Sequence, residues 1–288
     1  MSARSIWKGS ISFGLVNIPI KLYTTTDYNN EFSFNQLDKE GHKIQYKKWC
    51  PVEEREIPFS EIKKGYEISK DTYVLIEKED LEKIKVKTTK TIDIKEFIDA
   101  KEFDPILVEK SYYVAPDVGN DSHRNSKGKK RSNNSISTKA YNLFVNTLKE
   151  TDKMAIGKVV LKDKEHLVAL RSYQKGLIMH QLMYQEEIKP IDEIEGMPGT
   201  ENSIPSPPVD KREIELGKAL VDNLTNKEFD ASQYSDDYAK QLGDLISAKS
   251  QGKTYTSDEK EEEPGLGDNL LEALRASVSK SKGANSVQ

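Results

Sequence analysis

The sequence predicts a mainly β protein with α-helical parts: a barrel or sandwich core followed by a helical arm. Three observations predict it. Eight or more short runs alternate apolar and polar residues, the period of strands with one buried face. Helical periodicity is confined to a few stretches. Between the β-rich part and the last helices lies GMPGTENSIPSPPV, residues 196–209, whose Pro, Gly and Ser content is that of a linker.

The opening stretch, Arg4 to Tyr23, sets the pattern. Ile11, Phe13 and Leu15 alternate with Ser10, Ser12 and Gly14, and Ile18, Ile20 and Leu22 continue on one side. Gly14 predicts a bend or bulge. Pro19 predicts an edge or a strand start, because proline donates no ladder hydrogen bond. Arg4, Lys8 and Lys21 are interleaved, and no acid occurs before Asp27. Strands carrying cations in this way suit a barrel that holds a polyanion. Phe32 and Phe34 then alternate, Asp38 to Gly41 reads as a hairpin turn, and Ile44, Tyr46 and Lys48 share one side of the returning strand. With Lys43, Lys47, Lys48 and Arg55, residues 24–65 form a cation-bearing hairpin arm. Such an arm either crosses something negatively charged or is a solvated hairpin whose edge lysines discourage aggregation.

Tyr73 to Ile76 reads as a short strand. Glu79 to Ile84 reads as one or two helical turns, with acids early where the helix dipole favours them. Ile92 to Ile98 and Leu107 to Val114 are further strands, the second stopped by Pro116. Residues 117–137 have almost no apolar side chain and cannot bury enough surface to order themselves. They predict a flexible loop carrying Arg124, Lys127, Lys129, Lys130 and Arg131: a phosphate-grasping arm or a tolerated surface insertion. Thr138 to Glu150 is helical, because Tyr141, Phe144, Val145 and Leu148 recur at i, i+3, i+4 and i+7. Strands return at Ile156 to Leu161 and at Leu167 to Arg171. Gly176 to Tyr184, apolar on both faces apart from His180 and Gln181, predicts a central strand.

After the linker, Asp210 to Glu213 has the form of a capping box. Ile214, Gly217, Leu220, Val221 and Leu224 make one apolar stripe; Tyr234, Tyr238, Leu242, Leu245 and Ile246 make a second, which stops near Gly252. An acidic run, Asp258 to Glu263, precedes a short amphipathic helix capped by Asp268, with Leu270, Leu271, Leu274 and Val278 on one face. That helix suits a partner's groove or docks back on its own domain. The chain thus divides into a core (1–195) with its arm (24–65) and insertion (117–137), a linker (196–209), helices (210–252) and an acidic tail (253–288).

A net charge of −4 conceals an uneven distribution: +3 over residues 1–49, −4 over 50–116, +7 over 117–180 and −10 over 181–288. The basic segments in the core give a polyanion an electrostatic footprint that the total hides. No run of 18 apolar residues supplies a spanning helix, and the first residues hold no apolar secretory segment. Cys50 is the only cysteine, which excludes an intrachain disulfide and suits a reducing cytoplasm.

Catalytic patterns are missing from the sequence. Gly252-Lys253-Thr254 resembles the end of a phosphate loop, but Ser247 stands where its first glycine belongs, and a helix rather than a strand precedes it. GSISFG lacks the order of a nucleophile elbow. His42, His123, His166 and His180 are scattered; His42 and Cys50 could meet across a hairpin, but two ligands do not close a zinc site. His180, inside an apolar strand, reads as a satisfied core histidine. No carboxylate pair is singled out for acid–base work. The sequence therefore assigns no catalytic residue, metal or cofactor.

The run IWKGSISFGLVNIPIKLY, Ile6 to Tyr23, resembles the opening of prokaryotic Ku proteins, the DNA-end-binding factors of non-homologous end joining. Lys64-Gly65-Tyr66-Glu67, Glu79-Asp80-Leu81-Glu82, Asp104-Pro105-Ile106, KSYYVAP from Lys110 to Pro116, and EHLVALR from Glu165 to Arg171 match in the same order, so the resemblance spans nearly the whole chain. It implies a Ku-type β-barrel core with a hairpin arch and a C-terminal helical arm. It also implies a homodimer closed into a ring around the ends of double-stranded DNA, with no catalysis and no membrane. The bound ring would recruit an ATP-dependent DNA ligase of the ligase D type, in the cytoplasm and associated with the nucleoid.

The DNA contacts it implies are Arg4, Lys8 and Lys21 in the opening motif, Lys43, Lys47 and Lys48 in the arch, and Lys158, Lys162, Lys164 and Arg171 in the second barrel segment. Leu270, Leu271, Leu274 and Val278 are the expected ligase contact. Two features depart from the pattern: residues 117–137 look like an insertion, and the tail carries only Lys280 and Lys282 near its end, where many relatives are strongly basic. Two other classes stand beside this reading. One is a metal-dependent nuclease on a β-rich fold, which needs clustered acids near the basic face. The other is an interaction module that uses its acidic C-terminal third and no nucleic acid.

Overall fold

The computed structural model describes residues 3–27, 32–84, 90–118, 133–199, 208–254, 274–275 and 277–279. The chain separates into two compact units, residues 1–189 and 190–288.

In the first unit the elements run β1 (Trp7–Phe13), β2 (Val16–Thr24), β3 (Trp49–Cys50), β4 (Arg55–Glu56), β5 (Lys64–Ser69), β6 (Thr72–Ile76), α1 (Lys78–Ile84), β7 (Thr91–Asp99), β8 (Val108–Pro116), α2 (Asn133–Thr151), β9 (Lys153–Leu161), β10 (Lys164–Tyr173) and β11 (Gly176–Leu182). Seven of these strands close a barrel in the order β1-β2-β8-β11-β10-β9-β7. All its pairings are antiparallel except the one that closes it, where β1 runs parallel to β7 with Ser10, Ile11 and Ser12 opposite Thr91, Ile92 and Asp93.

The period-2 pattern explains the barrel wall. Ile11, Ile18, Ile20, Leu22, Ile92, Val114, Val159, Val168, Leu170, Leu177 and Met179 are all buried in one apolar cluster. The stripe of α2 completes it: Tyr141, Phe144, Val145 and Leu148 are buried in the same cluster, and the Phe144 ring stacks on Phe13 at 5.1 Å. Gly157 is required where β7 bulges toward β9, since a Cβ there would lie 2.6 Å from the Asp93 carbonyl oxygen. Gly14 takes φ 57° as the first residue of the tight turn joining β1 to β2, a conformation glycine adopts without a Cβ clash.

A second cluster covers the outer side of β9, β10 and β11. Met154, Ala169 and Leu182 are buried there against Ile98, Phe103, Leu107 and Ile156. His180 belongs to this layer and is only 8% exposed. Its Nδ1 shares a hydrogen bond of 2.8 Å with the Ser111 hydroxyl, and its Nε2 accepts from Arg171 Nε at 3.0 Å. The expected satisfied core histidine is therefore found, with an arginine as its second partner.

Three local expectations change. Pro19 lies inside β2, not at an edge. Its carbonyl accepts the Asp117 N–H at 2.9 Å, so its ring nitrogen faces the point where β8 has already ended and forfeits no barrel bond. The expected strands through Phe32–Lys48 are reduced to one bridge, Leu37 to Lys43, and the two-residue ladder of β3 with β4. Phe34 and Tyr46 remain 72% and 81% exposed; two strands with no third layer bury too little to extend their ladder. Their turn survives because Asp38 Oδ1 accepts from the backbone N–H groups of Glu40 and His42 at 2.9 and 2.8 Å. Finally, α2 begins at Asn133, five residues before the expected Thr138, and so takes in the end of the expected loop; residues 119–132 lie outside the described residues.

In the second unit, α3 (Lys211–Leu224) holds the whole first expected stripe and α4 (Asp237–Ser250) holds the second from Tyr238 onward, while Tyr234 ends the preceding 3-10 turn at Ala231–Gln233. The capping box at Asp210 and Glu213 is present, and Asp236 caps α4 by accepting from Ala239 N–H. Neither helix has a fully buried residue; Val221, Leu224 and Tyr238 are 64%, 64% and 74% exposed.

Two predictions concern the first unit. The Tyr141 hydroxyl donates to the Val114 carbonyl at 2.5 Å and accepts the Leu177 N–H at 3.0 Å, tying α2 to facing residues of β8 and β11. Tyr141→Phe should cost about 1–3 kcal/mol of stability by leaving two buried backbone groups unpaired, measured by urea unfolding. Burial, and next the Arg171 charge, hold the His180 pKa below its ordinary 6.5. The unfolded chain then takes up a proton that the folded chain refuses, so this residue lowers stability as pH falls below about 6.5 and has no effect above it. His180→Gln should reduce the drop in Tm between about pH 7.5 and pH 5.5; an unchanged drop would place the titration elsewhere.

Candidate nucleic-acid interface

Because Ile11, Ile20 and Leu22 point into the barrel, the alternate positions of β1 and β2 point out. Lys8 and Lys21 are opposite each other in the β1–β2 ladder and so share that outer face. Asp117, at the end of β8, meets both: its Oδ1 lies 2.7 Å from Lys21 Nζ and its Oδ2 lies 3.8 Å from Lys8 Nζ. The Lys21 side chain is 15% exposed and Lys8 62%. The hydrogen bond to Asp117 raises the Lys21 pKa above the ordinary lysine value, so Lys21 is charged at any physiological pH.

The outer face continues across the sheet. Tyr23 is opposite Tyr113, Tyr113 is opposite Ile178, and Ile178 is opposite Arg171. At an inter-strand spacing of about 4.8 Å, Arg171 on β10 lies about 14 Å across the face from the β2 position of Tyr23. The Arg171 guanidinium lies over the Tyr173 ring, 5.5 Å from its centroid, and the Tyr113 and Tyr173 rings are 6.3 Å apart. His180 holds Nε of Arg171 from beneath. The sequence reading chose Lys8, Lys21 and Arg171 but missed Tyr113, Tyr173 and Asp117. A signal for the first was available, since Tyr113 lies within KSYYVAP. Cations beside exposed aromatic rings make a surface that takes both phosphate and base or sugar contact.

The other cations are placed differently. Lys158 also faces outward, but it is paired with Glu165 at 2.8 Å, and that hydrogen bond raises its pKa. Its ladder partner on β7 is Asp93, so this part of the face carries acid beside its base. Lys162 lies in the β9–β10 turn with φ 50°, and exposed Lys164 opens β10. Seven residues of extended chain put Lys164 about 23 Å from Arg171, at the opposite end of the strand. Arg4 is exposed ahead of β1.

In the arm, Lys43 is exposed beside its bridge to Leu37. Lys47 pairs with Glu56 at 2.8 Å, which raises its pKa, and Lys48 lies 4.9 Å from the centroid of the Phe59 ring. Arg55 donates to Glu61 and Glu53 at 2.8 and 2.6 Å. Asp38, Glu40 and His42 bring ligand atoms within 4.8 Å of one another in the exposed turn; the hydrogen bonds to Asp38 that build the turn account for the grouping.

Of the expected partner-binding residues, Leu270 and Leu271 lie outside the described residues. Leu274 and Val278 are helical and half-buried. No described helix is long and apolar enough to cross a membrane.

Residues 12–216 match the family model described as the Ku70/Ku80 beta-barrel domain. The chain is 39% identical over 283 residues to the non-homologous end joining protein Ku of Heliobacterium modesticaldum, covering 98% of this chain and 94% of that protein. It is 37% identical to the protein of the same name from Archaeoglobus fulgidus, covering 96% of this chain and 98% of that one. It is 34% identical to that of Bacillus subtilis, with 98% and 83% covered. The closed barrel, the matched segment and these near-full-length relatives together place this chain in the Ku family.

Proposed function

We propose that this protein binds the ends of double-stranded DNA as a ring-shaped homodimer and recruits an ATP-dependent DNA ligase, of the ligase D type, in double-strand break repair by non-homologous end joining. The observation that carries this reading is membership of the Ku family over residues 12–216, alongside relatives whose name states non-homologous end joining. The electrostatics support it. The outer barrel face carries Lys8, Lys21 and Arg171 beside tyrosines, and the arm adds Lys43, Lys47 and Lys48. These groups suit the phosphate backbone, which positions a protein without reading sequence.

In this reading the arm of residues 24–65 is the arch of the ring. Helices α3 and α4 form the dimer-stabilising arm, which explains apolar stripes left uncovered in a single chain. The C-terminal segment carrying Leu270, Leu271, Leu274 and Val278 contacts the ligase. The protein itself does no chemistry: it holds the end and presents it. Closure around the duplex supplies end preference, because a ring cannot mount a covalently closed circle.

Two measurements test the proposal. The purified protein should shift linear duplex in a gel-shift titration, leave covalently closed circles unbound, and cleave neither in the presence of magnesium. With six to ten phosphate contacts, its affinity should fall by about 10³–10⁵ between about 50 and 200 mM salt. Equal binding to circles overturns threading, and metal-dependent cleavage favours the nuclease reading. Charge reversal of Lys47 and Lys48 together should weaken end binding while changing folding stability by no more than about 1 kcal/mol, since both are exposed; unchanged end affinity removes the arch lysines from the contact surface.

A further inference from the structure

Asp117 occupies an unusual position for a protein that carries cations toward a polyanion. It is the residue immediately after β8, and its backbone N–H is fixed to the Pro19 carbonyl at 2.9 Å, which extends the β2–β8 ladder by one bond. The carboxylate is therefore held by the sheet. One oxygen is 2.7 Å from Lys21 Nζ, the other 3.8 Å from Lys8 Nζ, and its side chain is only 21% exposed. Two ammonium groups converge on the two oxygens of one small oxyanion, as two lysines converge on the oxygens of a phosphodiester.

We propose that the Lys8–Lys21 pair is a phosphate-binding subsite and that Asp117 is its built-in occupant, a residue that sets affinity by competing with the nucleic-acid phosphate. The inference rests on the DNA-end-binding reading for its ligand and goes beyond it in assigning an opposing group. The local charge of the trio is +1 with Asp117 ionised and +2 without it. A phosphate approaching Lys8 and Lys21 meets one net cation and a fixed anion. It must draw the lysine ammonium groups off the carboxylate, Lys21 giving up the shorter contact. Lys8, more exposed and farther from Asp117, can turn outward first. Asp117 thus lowers the affinity of each subsite and, by keeping Lys21 paired between encounters, favours release.

The test compares wild type with Asp117→Asn, which keeps the size and the backbone anchor but removes the charge. Two probes are used: a linear blunt duplex in a gel-shift titration over a salt series, and pyrophosphate by calorimetry. The expected result is an increase in duplex affinity of about two- to fivefold near physiological salt, the range for one partly exposed charge pair. The slope of log affinity against log salt should steepen by about 0.9 for each subsite released. Pyrophosphate binding should strengthen in parallel, and Lys8→Met with Lys21→Met should abolish both gains. If wild type binds duplex and the Asn variant shows the same affinity and slope, or a weaker one, Asp117 is a structural clamp and the inference falls while end binding stands. If neither protein binds duplex yet the variant gains pyrophosphate affinity, the subsite stands and the end-binding reading falls. If no gain appears with either probe, the inference falls. Melting curves of the variants confirm that differences are not those of an unfolded barrel.

Discussion

The short parallel pairing between β1 and β7 is the contact on which the rest of the first unit depends. It is three residue pairs long, reinforced by the Ser10 N–H to the Lys90 carbonyl at 3.0 Å and by the Ser10 and Thr91 hydroxyls at 3.4 Å. Without it, β1 and β7 are both open edges, and Ile11 and Ile92 lose their common interior. With it, the sheet has no edge, every second side chain is sealed inside, and α2 places Phe144 against Phe13 and Phe97. Closure gives the outer face a fixed register, so that residues far apart in sequence (Lys8, Lys21, Asp117 and Arg171) keep constant separations.

On that face several of the described cations are already paired within the chain. Lys21 and Lys8 are tied to Asp117, Lys158 to Glu165, and Arg171 to His180 and the Tyr173 ring. Lys47 and Arg55 are similarly paired in the arm. Exposed pairs of this kind contribute little stability, on the order of 0–1 kcal/mol each. They matter more for exchange. A polyanion that binds here replaces intramolecular carboxylates by phosphates, so the gain per contact is the difference between two charge-assisted partners rather than the whole of one. In the proposed complex with duplex DNA, many small differences of this kind would sum to binding that is strong at low salt and steeply screened. His180 adds a constraint of another kind: as a neutral acceptor under Arg171 it fixes the plane of the guanidinium over Tyr173.

Much of the barrel was legible because burial on one side of a strand leaves a period of two. Ile18, Ile20 and Leu22, the run from Gly176 to Leu182, and the helical stripe at Tyr141–Leu148 were all readable in that way. The same rule misled in the arm. Phe32, Phe34, Ile44 and Tyr46 alternate, but no layer covers them, so alternation did not become a ladder. Pro19 misled because its usual place is an edge; its tolerance inside β2 depends on β8 ending opposite it. The start of α2 was missed because Asn133 to Ser137 lack the apolar repeat by which a helix is recognised.

The sequence by itself determined the class of fold, the closed core's apolar residues, the helix stripes and caps of the C-terminal unit, and the family, because these depend on local periodicity and on motifs contiguous in the chain. Tertiary structure alone decided which cations have company. Asp117 is about a hundred residues from both lysines it contacts, and Arg171 meets Ser111 through His180 only because β10, β11 and β8 are neighbours. Ion pairs and hydrogen bonds act over a few ångströms of space and leave no period in the chain, so the electrostatic character of the face emerges only when the barrel closes.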